Sequence, residues 1–283
     1  MAQAEAKKIV NDFNDALSKV VDEYRALSVP EKFRINTALD SMYRLDKAKY
    51  YALYSAYSSL IGDMPALEDC VNYFFSRGVV NLNSNSYRCL LSMSNSAMFD
   101  ELYTLLNTLN DIPDEYVELY RVHFNIAVTL LDAEKAKEIH SKIPAEFFTE
   151  EDMNLFNGML SNVKLFDALH GKEQIVVYRD YISEMLKLHR NKIIKAVYKN
   201  SGACIVIPLF YADDDKGMLN INVEYVSDDV DKAIELEDYY YSILFKSDLV
   251  PREALNTIVY SLTPIVTKQA NVISERVVGV DFS

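Results

Sequence analysis

Apolar residues recur at spacings of three and four along the first two hundred or so residues, which is the period of one face of an α-helix. This pattern stops between Ser201 and Gly202. Residues 203–211 then form an almost unbroken apolar run of the strand type. The change predicts a mainly α protein with two domains: a helical body over residues 1–200 and a small α+β module over residues 201–283.

The first predicted helix covers residues 3–27. Its apolar residues follow the spacing of a coiled-coil seam, and they are Val10, Phe13, Leu17, Val20, Tyr24 and Leu27. The seam is short, at about two to three heptads. We therefore prefer packing of this helix on the helices that follow, and a homodimer through the N-terminal helix is the alternative.

Capping residues and helix breakers divide the remainder of the body into further helices. Asp46, Asp63, Asp132 and Thr149 have the side chains of N-caps, and Thr149 is followed by an acid at the spacing of a capping box. Gly62, Gly78 and Gly171 suit helix ends. The predicted helices cover residues 30–44, 46–62, 63–78, 85–93, 96–109, 111–131, 132–143, 149–171 and 173–199.

These helices pair into units of about 30 to 40 residues, which is the rhythm of helical hairpins stacked in an α-solenoid. No tetratricopeptide signature returns at fixed offsets. The body is therefore predicted to be α-solenoid-like, with an irregular helical domain as the alternative.

The module is predicted to contain a β-hairpin. Its strands are residues 203–211 and 218–226, and the turn-forming residues 213–217 join them. A hairpin is only marginally stable by itself, so it must pack on a helix, for which residues 228–246 are the candidate.

Beyond that candidate helix, Pro251 is expected to open a further helix to about Leu262. Residues 272–280 fit either a third strand or a helix end.

Composition is that of a folded protein, with 50% hydrophobic and 25% charged residues, and only 7 Gly and 7 Pro. The first residues lack the apolar segment of a signal peptide, and no apolar run approaches the roughly 20 residues of a membrane span. Three cysteines without a CxxC pair indicate buried thiols in a reducing compartment. We therefore expect a cytoplasmic protein that makes no membrane contact.

The net charge of −13 makes nucleic acid an unfavourable partner. The charge is unevenly distributed, because residues 213–238 are strongly acidic and residues 172–199 have an excess of Lys and Arg. Lys192 and Lys195 share one face of that basic helix. The two regions fit plain solvated surfaces, contact with each other, or docking faces for a charged partner.

Motifs for catalysis are not found. The chain has no GxSxG, GxxxxGK[ST] or GxGxxG sequence, and none of its four histidines lies three or four residues from another. Asp213 and Asp215 with Gly217 resemble half of a calcium loop, but strands flank them and the central ligands are missing, so a solvated hairpin tip is the preferred interpretation. We expect no metal and no cofactor, and a function other than catalysis is favoured.

Four tyrosines, Tyr43, Tyr50, Tyr54 and Tyr57, recur at helical spacing across the second and third predicted helices. Such a stripe belongs either to the core or to a groove that grips a peptide.

The sequence favours a non-enzymatic protein–protein interaction or adaptor protein that uses a helical groove and charged faces. The candidate partner-binding residues are Tyr50, Tyr54, Lys192, Lys195, Asp213 and Asp215. Two alternatives are an acidic inhibitor or immunity-type protein that blocks a basic site, and a metal-assisted hydrolase with its site between the two domains.

Overall fold

The computed structural model describes residues 2–22, 27–188, 190, 219–226, 230–244, 254 and 257–265. This part of the chain is mostly helical, which confirms the mainly α class. Its helices are α1 (Ala2–Asp22), α2 (Val29–Leu45), α3 (Lys47–Ile61), α4 (Met64–Phe75), α5 (Ser84–Asn95), α6 (Phe99–Leu106), α7 (Glu118–Thr129), α8 (Ala133–His140), α9 (Glu150–Leu188) and α10 (Val230–Leu244). Its strands are β1 (Leu219–Val226) and β2 (Ile258–Ile265), and short 3-10 turns cover Asp114–Tyr116 and Ala145–Phe147.

Helices α1 to α3 share one hydrophobic cluster. Phe13 and Leu17 of the predicted seam are each 1% exposed, and they pack with Ile35 and Met42 of α2 and with Leu53 of α3. The seam therefore packs on the following helices, as preferred from the sequence. A homodimer through α1 stays a prediction.

Short acidic side chains fix where several helices begin. Asp46, Asp63 and Asp132 each accept a hydrogen bond from the backbone amide three residues later, at 3.0, 3.4 and 3.0 Å. Thr149 and Asp152 form the predicted capping box, in which each backbone amide donates to the other side chain at 3.1 Å. These helix starts are confirmed.

Gly171 interrupts α9. Its φ of 74° and ψ of 163° are accessible almost only to glycine, because a Cβ atom would clash with the backbone. The predicted break is found at this residue, and the residues on either side of it are helical.

Helices α3 and α5 contact each other through serines. The hydroxyl oxygens of Ser55 and Ser92 lie 3.2 Å apart, and Ser96 donates a hydrogen bond to Ser59 at 2.9 Å. Both pairs join residues 37 positions apart, so the two helices lie parallel in the same register. Small side chains leave little bulk between the helices, and the short polar contacts satisfy buried hydroxyl groups.

The other helices of the body pack in consecutive pairs. Helix α3 contacts α4, α5 contacts α6, and α7 contacts α8. The first helix of each pair also contacts the first helix of the next, as α3 does with α5, α5 with α7, and α7 with α9. A second, larger hydrophobic cluster runs through α4 to α9.

Strands β1 and β2 are parallel, with Leu219 opposite Ile258 and Val226 opposite Ile265. Parallel strands need a crossover connection, and α10 lies between them in the chain, close to the helix predicted over residues 228–246. The helix predicted from Pro251 to Leu262 is wrong over residues 258–262. A proline suits the first turn of a helix, but this segment is rich in the β-branched and aromatic residues that favour strands.

The second strand of the predicted hairpin is found as β1. Residues 203–211, the connecting turn and residues 272–280 lie outside the described residues, as does the predicted boundary after residue 200. Leu236 of α10 and Ile258 of β2 are buried in the same cluster as α4 to α9. Tyr178 of α9 also donates a hydrogen bond from its hydroxyl to the Thr257 hydroxyl at 3.1 Å.

His123 is a buried polar residue of α7, 6% exposed, with its Nε2 atom 3.1 Å from Asn107 Oδ1. Burial lowers the pKa of this imidazole to about 4, and the charge of Lys135 contributes in the same direction. The folded protein therefore holds His123 neutral, whereas the unfolded chain binds a proton near pH 6.5. Stability is lost as the pH falls from about 6.5 to about 4, because only the unfolded state gains a proton in this range.

Ser55→Leu is expected to lower the free energy of unfolding by about 2 kcal/mol, because the added carbons have no room between α3 and α5. Urea unfolding measures the change. Ser161→Leu on the exposed side of α9 is the control and is expected to change stability by less than about 0.5 kcal/mol. Equal effects of the two substitutions would contradict close packing of α3 on α5.

His123→Gln removes the titrating group and keeps an amide able to bond Asn107. The free-energy difference between wild type and this variant is expected to shrink by about 2 kcal/mol when the pH falls from 8 to 5. Urea unfolding at both pH values checks this, and a difference that stays constant with pH would show that His123 is not held neutral.

Candidate functional site

Five tyrosines of α2, α3 and α4 form a continuous aromatic cluster. The ring centroid of Tyr50 lies 4.9 Å from that of Tyr43, 5.1 Å from that of Tyr51 and 5.3 Å from that of Tyr54. Tyr51 stacks on Tyr73 of α4 at 4.0 Å. We refer to these five residues as the tyrosine surface.

The local sequence explains how these rings meet. Asp46 is the only residue between α2 and α3, where its amide donates to the last turn of α2 and its side chain caps α3. The short link brings Tyr43, near the end of α2, beside Tyr50 of α3. Tyr50 and Tyr54 are four residues apart and therefore share one helical face.

The tyrosine surface lies at the boundary between core and solvent. Tyr43 and Tyr73 are each 44% exposed, whereas Tyr50 and Tyr54 are half-buried. Tyr54 packs against both hydrophobic clusters of the body. Tyr57, the fourth tyrosine of the predicted stripe, is only 6% exposed and belongs to the core. The core interpretation is therefore confirmed for Tyr57, and binding by the more exposed part of the stripe stays a prediction.

Burial and neighbouring carboxylates keep the phenols of Tyr50 and Tyr54 protonated. Burial raises the pKa of Tyr50 to about 12, and the charges of Tyr54 and Asp40 add to the effect. The pKa of Tyr54 is raised first by burial and then by the charges of Asp63 and Asp69. The hydroxyl groups therefore remain neutral at physiological pH and able to donate hydrogen bonds.

The charges around the tyrosine surface are distributed unevenly. At one end, the Lys47 ammonium lies 5.3 Å from the centroid of the Tyr43 ring. Within the described ranges, Asp40, Asp63 and Asp69 have no ion-pair partner. These carboxylates add negative charge beside the rings of Tyr50 and Tyr54.

Only Tyr50 and Tyr54 of the six predicted binding residues can be placed. Lys192, Lys195, Asp213 and Asp215 lie outside the described residues. Tyr73, Asp63 and Asp69 were not predicted from the sequence as binding residues. The signal for Tyr73 was the aromatic run formed by residues 73–75, but pairing it with Tyr51 requires the α3–α4 packing angle, which the sequence does not give.

Two described cations of the predicted basic helix, Arg179 and Arg190, contact other parts of the body. Arg179 donates from Nε to the backbone carbonyl of Leu130 at 2.7 Å. Arg190 pairs with Glu101 of α6 at 3.0 Å. Because both side chains have partners within the body, we interpret these two arginines as structural and not as part of a docking face.

A charged cluster joins α7 and α9. Arg121 lies 2.7 Å from Glu118 and 2.9 Å from Asp152, and its guanidinium lies over the rings of Phe148 and Phe156. Burial raises the pKa of Glu118 to about 7 against the opposing effect of Arg121. Because Arg121 pairs with both carboxylates, we interpret the cluster as a structural link between the helices.

The two described cysteines of the body are buried. Cys70 and Cys89 are free thiols with no solvent exposure, and burial raises the pKa of Cys70 to about 12, which disfavours the nucleophilic thiolate. No group of His, Cys, Asp and Glu suited to a metal ion occurs in the described part of the chain.

No family model, curated protein sequence or solved structure matches this chain. Among the helices that the structure describes, none is both long enough and apolar enough to cross a bilayer.

Proposed function

We propose that this protein is a non-enzymatic adaptor that binds a protein partner through the tyrosine surface. The observation that carries the proposal is the continuous cluster of five tyrosines, two of them 44% exposed, on adjoining helices. Tyrosine is enriched at the centres of protein interfaces, because one rigid side chain offers a large apolar face and a hydrogen-bonding hydroxyl.

The packing of the body supports an α-solenoid-like arrangement within this proposal. Consecutive helix pairs contact each other through their first helices, and two serine contacts hold α3 parallel to α5. Stacked helical hairpins present an extended surface suited to a partner protein. In this proposal, Lys192 and Lys195 on the basic helix and Asp213 and Asp215 in the acidic module orient the partner by charge.

We place this activity in the cytoplasm. The two described cysteines are buried free thiols, which is the usual state in a reducing compartment.

A photo-crosslinking amino acid in place of Tyr73 is expected to give discrete crosslinks to one or a few proteins in cells, because this ring is 44% exposed within the proposed contact surface. The matched control places the same residue at Phe147, which is 48% exposed and belongs to the 3-10 turn Ala145–Phe147. Mass spectrometry of the crosslinked bands identifies the partner.

Crosslinks at position 73 that do not occur at position 147 are the expected result. Absence of crosslinks at position 73, or the same products from both positions, would contradict binding through the tyrosine surface.

A further inference from the structure

Resting on the proposed function, we propose that the partner segment bound by the tyrosine surface is basic and arginine-rich. Its guanidinium groups lie on the exposed tyrosine rings and pair with Asp40, Asp63 and Asp69.

The rings themselves attract cations. A tyrosine face carries a partial negative charge, and a Lys or Arg within about 6 Å of the centroid is stabilised by it. The chain already makes such a contact at one end of the surface, where Lys47 lies 5.3 Å from the Tyr43 centroid. Tyr73 at the other end is equally exposed, and no described cation lies over its ring.

The neighbouring carboxylates strengthen this preference. Three carboxylates border the surface: Asp40 and Asp69 are exposed, and Asp63 is half-buried at the start of α4. Their charges act on the hydroxyls of Tyr50 and Tyr54, and none of the three pairs with a cation of the described residues. A cation from a partner is therefore attracted by the rings and the carboxylates together.

Other classes of occupant fit less well. An acidic peptide or nucleic acid would bring like charge to these aspartates on a chain that already carries −13. A purely apolar segment would remove water from the carboxylates without replacing its hydrogen bonds. Arginine suits both features, because its planar guanidinium stacks on an aromatic face and pairs with a carboxylate at the same time.

The test uses the full chain and a fluorescein-labelled peptide in which four arginines alternate with glycine and serine, with binding followed by fluorescence anisotropy. Asp69→Asn and Tyr73→Leu are each expected to weaken binding about three- to tenfold. The matched controls change the same residue types at exposed positions elsewhere: Asp114→Asn and Tyr239→Leu are expected to change the affinity less than about 1.5-fold.

Equal binding of the arginine peptide to all four variants would show attraction to the overall negative charge and would overturn the proposal. Failure of the peptide to bind, or preference for a matched glutamate peptide, would also overturn it. An excess of the arginine peptide is expected to suppress the crosslinks formed from position 73. Crosslinks that persist would refute the basic partner while leaving the proposed function intact, whereas absence of any crosslink would refute both.

Discussion

Helices α3 and α5 lie against each other through buried serines, and the arrangement of the body follows from this contact. Leu53 on α3 belongs to the N-terminal cluster, whereas Leu90 and Met93 on α5 belong to the larger one. The serine contact therefore joins two hydrophobic cores that the chain builds separately. Since Ser55 turns toward α5, the adjoining Tyr54 lies where the two clusters meet. The position of the tyrosine surface at the edge of the core is a consequence of this packing.

Arginines secure the later helices in a different way. Arg121 links α7 to α9 through two carboxylates, and Arg179 bonds the carbonyl groups at the end of α7, where Leu131 takes a positive φ of 55°. A guanidinium has donors in a fixed planar arrangement and can satisfy several acceptors of a helix end at once. The body thus uses its partly buried arginines to join helices to one another.

Local features of the fold were predictable from the sequence, and features that depend on distant residues were not. The caps at Asp46 and Thr149 and the break at Gly171 involve residues a few positions apart, so their side-chain chemistry identified them. Residues 258–262 of strand β2 were predicted as helix, because their state depends on pairing with β1 across α10. Tyr50 and Tyr54 could be selected by spacing within one helix. Tyr73 joins them only through the packing of α4 on α3, which no local pattern contains.

The tyrosine surface is suited to binding because its rings are already held in place. Tyr50 contacts three other tyrosines, and Tyr51 stacks on Tyr73, so the rotamers of the central rings are restricted before any partner arrives. Ordering a side chain at an interface costs about 0.5 to 1.5 kcal/mol, and packed aromatic rings avoid most of this cost. By contrast, the groups with strongly shifted pKa values in α7, His123 and Glu118, are turned inward with partners of their own. The tyrosine surface therefore presents rigid aromatic rings beside carboxylates, and this is the feature on which the proposed recognition function rests.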